Sequence, residues 1–125
     1  MASQPMILVV DDQRSIRELV ADILTDEGYH VISSADGQQA LDRLQTFDAQ
    51  LVITDVMMPV LDGWNLTQEL RQQEHLRHLP VILMSAANDI PFNPKHLDRH
   101  TTFLPKPFEI SSLLDSVEAS LTSDM

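Results

Sequence analysis

Three short stretches of this chain, Met6-Ile7-Leu8-Val9-Val10, Leu51-Val52-Ile53-Thr54 and Val81-Ile82-Leu83-Met84, run apolar without polar alternation. A strand with one wet face alternates, so an unbroken apolar run of this length fits a strand covered on both faces. Two weaker runs, Tyr29 to Ser33 and Thr102-Phe103-Leu104, complete a set of five. Between them the apolar period changes to that of a helix. Ile16, Leu19, Val20, Ile23 and Leu24 recur at helical spacing, with Gly28 placed as a stop. Asp36 can cap a helix carrying Ala40, Leu41 and Leu44, and a further helix runs from about Gly63 towards Gln73 with Leu66 and Leu70 inward. Ile110, Leu113, Leu114, Val117 and Leu121 form the strongest stripe.

Strands alternating with helices imply right-handed crossovers and a parallel sheet between two helical layers. The 125 residues suit one domain with a real core. Cysteine is absent, which excludes disulfides, thiolate metal sites and cysteine nucleophiles. No apolar run approaches the ~18 residues of a membrane span, and the MASQP start lacks the features of a signal peptide, so a cytoplasmic protein is expected. Eight Lys and Arg against 19 Asp and Glu leave −11 at pH 7, a surface that repels nucleic acid and anionic membrane.

The residue that ends each strand narrows the function. The first run stops at Asp11-Asp12, the third at Asp55, the fourth at Ser85, and the fifth leads to Lys106-Pro107. Open parallel sheets bind ligands beyond the carboxyl ends of their strands, where strand order reverses. With the order 2-1-3-4-5, strands one and three are neighbours, and Asp11, Asp12 and Asp55 share one pocket. Two carboxylates ~5 Å apart repel by about 3 kcal/mol at an effective dielectric near 20. Three such pairs cost about 10 kcal/mol, comparable with a domain's whole stability. Protonation or a cation must relieve this. Oxygen ligands without His or Cys favour a hard ion, and few protein ligands favour Mg²⁺. Asp55, ionised at neutral pH, can attack phosphorus without a general base. Lys106 supplies a point charge and Ser85 a hydroxyl donor for phosphoryl oxygens. The set reads as a phosphoryl acceptor.

These residues resemble the receiver domain of two-component response regulators, of the chemotaxis-regulator kind. The pieces are Val9-Val10-Asp11-Asp12, Thr54-Asp55 followed by Met57-Met58-Pro59 and Asp62-Gly63, then Ser85-Ala86 and Lys106-Pro107-Phe108. Each is weak alone; together, in order and spacing, they are specific. The resemblance implies a flavodoxin-like α/β fold: one doubly wound receiver domain over residues 1–125, core about 6–122, with five parallel strands ordered 2-1-3-4-5 and no output domain in this chain. It implies a phosphorelay module, not an enzyme beyond its own phosphorylation and dephosphorylation. The donor is a sensor histidine kinase or a histidine phosphotransfer protein, and the readout a downstream protein target, with the chain a monomer or weak dimer. Asp55 is then the acceptor; Asp12, Asp55 and the Met57 carbonyl hold Mg²⁺, with Asp11 acting through water or directly; Ser85, the Ala86 amide and Lys106 bind the phosphoryl oxygens. Ser85 and Phe103 are the switch pair, and Lys106–Pro107 is a cis bond. Family hydrolysis rates depend on the positions held here by Met57 and Ala87, neither able to orient water, so slow dephosphorylation is expected.

Other readings fit less well. A phosphatase using an aspartyl phosphate wants Asp-x-Asp after strand one and a cap region; a flavin-binding module wants a phosphate-cradling loop where Asp11-Asp12 stands. A scaffold that never uses the pocket has no support, since no acceptor-site residue is missing. His96 and His100 read as surface histidines, Met57-Met58 as loop packing and Trp64 as half-buried. The chain departs from the family in Ala86 to Thr101, where Pro91 and Pro94 disfavour a full helix. The expectation there is a loop through about Phe92, then a helix of roughly two turns capped by Asn93 with Pro94 first.

Overall fold

The computed structural model describes residues 4–86 and 90–122. Five strands, β1 (Met6–Val10), β2 (His30–Ser34), β3 (Leu51–Asp55), β4 (Val81–Ala86) and β5 (Thr101–Lys106), form one sheet ordered β2-β1-β3-β4-β5. Every pairing is parallel. Helices α1 (Arg14–Asp26), α2 (Gly37–Arg43) and α3 (Gly63–Gln72) make the first three crossovers, and α4 (Ile110–Thr122) follows β5.

The unbroken apolar runs have their explanation in two cores. Leu8, Val10, Val52, Val81 and Leu83 point to one face, where Ala40 of α2, Leu44 just after it, and Leu66 and Leu70 of α3 cover them. Ile7, Val9, Leu51, Ile53, Ile82 and Met84 point to the other, under Val20 and Leu24 of α1 and Leu113 and Val117 of α4. Successive side chains leave a strand on opposite faces, so a doubly covered strand must be apolar at each position.

Local signals set the helix ends. The Asp36 carboxylate accepts the Gln39 amide at 2.9 Å, and Asp62 accepts that of Asn65 at 2.7 Å. Gly28 follows α1 in the left-handed region at φ +94°. Two residues of the apolar pattern stay outside: Leu19, 52 % exposed at the margin of the α1 stripe, and Ile110, 56 % exposed as the first residue of α4.

Between β4 and β5 no α-helix lies among the described residues. Asn93 caps the turn as expected, its side chain accepting from the Lys95 amide at 3.0 Å, with Pro94 first. The helix stops sooner than expected, however. It is a single 3₁₀ turn, Pro94–His96, rather than two turns, because the chain is then drawn to the start of β5. There Asp98 accepts the His100 amide at 2.8 Å and the Thr101 hydroxyl at 3.0 Å. Residues 87–89, where a longer helix would begin, lie outside the described ones.

Candidate functional site

Asp11 and Asp12 follow β1 directly, and Asp55 is the last residue of β3. These strands pair, Val10 opposite Thr54, so their ends converge. One carboxylate oxygen from each of Asp11, Asp12 and Asp55 lies within 4.8 Å of the other two. Asp11 is fully buried, Asp55 is 9 % exposed, and Asp12 is open to solvent.

Asp11 is held from several sides. Its Oδ1 accepts the Gln13 amide at 2.9 Å, and its carbonyl accepts the Arg17 guanidinium at 2.7 Å. Its Oδ2 is buried without a hydrogen-bond partner. Lys106 Nζ stands 3.7 Å from that oxygen and 3.6 Å from Asp55 Oδ1. Both distances exceed a hydrogen bond of about 3.2 Å or less, so the lysine acts as a charge shared by two acids. Burial pushes the Asp11 and Asp55 carboxyl groups above the ordinary range, with Lys106 opposing and the neighbouring acids adding to the rise.

One lysine does not balance three carboxylates. An unpartnered buried oxygen among three acids, with only oxygen donors, is the chemistry of a hard divalent cation, and the residues fit one. Among the described residues this is the only cluster of three or more potential metal ligands. The histidines form no second one; His78 and His100 merely pair their rings at 5.0 Å.

The loop from β3 to α3 is fixed against the acceptor strand. The Gly63 amide donates to the Val56 carbonyl at 2.9 Å, and a Cβ on Gly63 would sit 2.1 Å from the Asp55 carbonyl oxygen. Glycine alone permits that approach. The Thr54 hydroxyl donates to the Asp55 carbonyl at 3.0 Å, and the Met57 amide to the Asp55 carboxylate. Met58 is buried whereas Met57 is 57 % exposed, so of the two only Met58 packs the loop.

Ser85 is buried near the end of β4, one residue beyond the partner of Asp55. Ala86 pairs with Lys106 and Leu83 with Phe103, which brings β5 alongside the site. The Lys106–Pro107 peptide is cis. Ala87 lies outside the described residues. Trp64 is half-buried, and His96 is exposed. Asp11, Asp12, Asp55, Ser85, Ala86 and Lys106 therefore gather at one edge, while Phe103 stands behind it on β5.

Sequence reasoning overlooked Arg17, the Gln13 amide and an apolar hollow of about 510 Å³ beside Lys106, lined by Ile16, Leu19, Val20, Pro107 and Phe108 among others. Leu19 lies on the apolar stripe of α1, and only the packed structure shows that it stays outside.

A doubly wound sheet with acids from its two central strands and a lysine at the same edge defines a class: α/β proteins whose chemistry is a carboxylate centre at the strand ends. The chain belongs to the response regulator receiver domain family, whose model matches residues 7–118. It is 38 % identical over 117 residues to response regulator RR06 of Streptococcus pneumoniae, covering 90 % of this chain and 51 % of that protein. Response regulator MprA of Mycolicibacterium vanbaalenii is 37 % identical over 116 residues, 92 % of this chain and 49 % of that one. The chain thus spans about half the length of these relatives. Among solved structures, the Francisella response regulator 1452 receiver domain superposes with a TM-score of 0.85 at 28 % identity, covering 98 % of this chain and 100 % of that one. The receiver domain of sensor histidine kinase PA1611 from Pseudomonas aeruginosa, solved with magnesium coordinated in its active-site cleft, gives 0.82 at 29 % identity, covering 94 % and 98 %.

Proposed function

We infer that this chain accepts a phosphoryl group on Asp55 from a sensor histidine kinase or a histidine phosphotransfer protein, in a Mg²⁺-dependent reaction. The reading rests on one observation: Asp55 closes a triad of acids within 4.8 Å while Lys106 stands 3.6 Å from its carboxylate. An Asp55 oxygen attacks phosphorus, the new O–P bond forms as the donor's N–P bond breaks, and the electron pair returns to the donor imidazole. Asp11, Asp12, Asp55 and the Met57 carbonyl would hold Mg²⁺, which would supply positive charge against the phosphoryl oxygens. Ser85, the Ala86 amide and Lys106 receive those oxygens. The apolar hollow beside Lys106 gives a protein donor a footing next to the reacting atom.

The output is a change in the surface around Phe103, read by a downstream protein target. Phosphorylation shifts a pre-existing equilibrium in which Ser85 and Phe103 move together. The chain turns over no substrate besides its own aspartate, works in the cytoplasm as a monomer or weak dimer, and makes no direct contact with nucleic acid. With Met57 beside the acceptor unable to orient water, the phosphorylated form is slow to hydrolyse. Incubation with acetyl phosphate and Mg²⁺ tests the assignment. Intact mass should show one added phosphoryl group, absent in Asp55→Asn, and full labelling of that variant would remove Asp55 from the acceptor role.

A further inference from the structure

Three aromatic rings from three parts of the chain meet on the face shared by α3 and β5. Trp64, the second residue of α3, stacks on Phe92 with centroids 4.8 Å apart and planes inclined by 27°. Phe92 meets Phe103 edge-on, at 5.6 Å and 81°. All three are half-buried against the core that α2 and α3 cover. Each end of the stack reaches the acceptor through the backbone. Trp64 follows Gly63, whose amide is bonded to Val56 and which lies against the Asp55 carbonyl. Phe103 pairs with Leu83, two residues before Ser85.

The middle ring belongs to no regular element. Phe92 sits between Pro91 and the Asn93-Pro94 pair that opens the 3₁₀ turn. Pro91 and Pro94 fix their own φ and restrict Ile90 and Asn93, so the residues on either side of Phe92 have little freedom while its own ring can still turn. It fills the space between α3 and β5 where the described chain has no helix.

We propose that Phe92 is a positioning residue, which holds the Phe103 ring in its present place and passes any displacement of that ring to Trp64. The proposal rests on the switching role given to Phe103 above. Edge-to-face contact between rings biases an equilibrium by about two- to tenfold beyond simple burial. A Phe103 ring that withdraws inward leaves that edge. The Phe92 ring, released from that contact, then shifts and changes its stacking on the indole.

Trp64 is the chain's one tryptophan, so its emission reports the stack directly. The experiment titrates the purified chain with beryllofluoride and Mg²⁺, following Trp64 emission and, by NMR, the Phe103 backbone amide. In the wild type both signals should move together. Phe92→Ala should still move Phe103, with a midpoint about two- to tenfold lower, and leave Trp64 unresponsive. Phe92→Tyr should restore both; Phe92→Leu, which fills volume without a ring, should behave like alanine. Circular dichroism and melting confirm that each variant is folded. A wild-type midpoint and Trp64 response in folded Phe92→Ala or Phe92→Leu would overturn the proposal. So would a silent Trp64 in wild type while Phe103 moves. A Phe103 amide that stays fixed, although acetyl phosphate labels Asp55, defeats the switch reading itself and this inference with it.

Discussion

Burial of the Asp11 carboxyl group works against the fold whenever that group is ionised. One of its oxygens has no hydrogen-bond partner, and burial raises its pKa. A carboxyl group with a raised native pKa adds stability below its unfolded pKa and loses that contribution as pH rises through the native value. At neutral pH it is a liability. Asp11→Asn keeps the acceptor for the Gln13 amide and should raise metal-free stability by about 1–2 kcal/mol, measured by urea unfolding, while weakening the response to Mg²⁺. Wild type should gain about 1.4 kcal/mol at ten times the Mg²⁺ dissociation constant, a melting shift of several degrees. Asp12→Asn should reduce that shift; equal shifts in both would remove Asp12 from the metal site. A second strained residue is Val60, β-branched, 80 % exposed and at φ +72°. Its loop is clamped on both sides, Gly37 donating to the Leu61 carbonyl and Gly63 to that of Val56. Asparagine tolerates this conformation far better, so Val60→Asn should raise stability by about 1 kcal/mol in the same assay.

Among elements, the start of α3 is the least forgiving join. Gly63→Ala would drive a methyl group to 2.1 Å from the Asp55 carbonyl oxygen, backbone that cannot yield without moving the acceptor. The expected loss is about 3 kcal/mol or more, with acetyl phosphate labelling falling alongside it. Normal labelling at normal stability would show that α3 can withdraw freely. The far end of α3 is secured differently. Arg71 donates to Asp98 at 3.0 Å, the Leu79 carbonyl at 2.9 Å, the His100 carbonyl at 3.3 Å and the Thr101 hydroxyl at 2.8 Å. One guanidinium thereby joins α3, the loop before β4 and the entry to β5. That bracket helps explain how β5 keeps its place with only a 3₁₀ turn before it.

For the molecule as a whole, acidification acts on this bracket and on the buried acids in opposite directions. Burial lowers the His100 pKa, and His78, Arg71 and Arg99 add to the depression while Asp98 opposes it. A histidine with a depressed native pKa contributes stability above its unfolded value of about 6.5 and loses it as pH falls. Asp98 resists its own burial through the Arg71, His100 and Thr101 contacts, which hold its pKa low, so its contribution fails only at lower pH. Between pH 7 and 5 His100 pulls stability down while the buried Asp11 and Asp55 carboxyl groups pull it up, so in urea unfolding His100→Asn should tilt the slope of stability against pH towards greater stability at the acid end. An unchanged slope would exclude His100 as its source. Much of the fold and of the site was legible because it rests on local or periodic information. Unbroken apolar runs mark doubly covered strands, Asp36 and Asn93 cap the turns immediately after them, and strand ends in a parallel sheet share one edge, which assembles Asp11, Asp12, Asp55, Ser85 and Lys106. Periodicity, however, locates a face and neither its margin nor its covered length, so it could not place Leu19 or Ile110 outside. Nor could it bury Asp11 while exposing Asp12, bring Gly63 against Asp55, or stack Trp64, Phe92 and Phe103. Those outcomes depend on which surfaces meet after the sheet has closed, and residues far apart in sequence carry no local signal of their meeting.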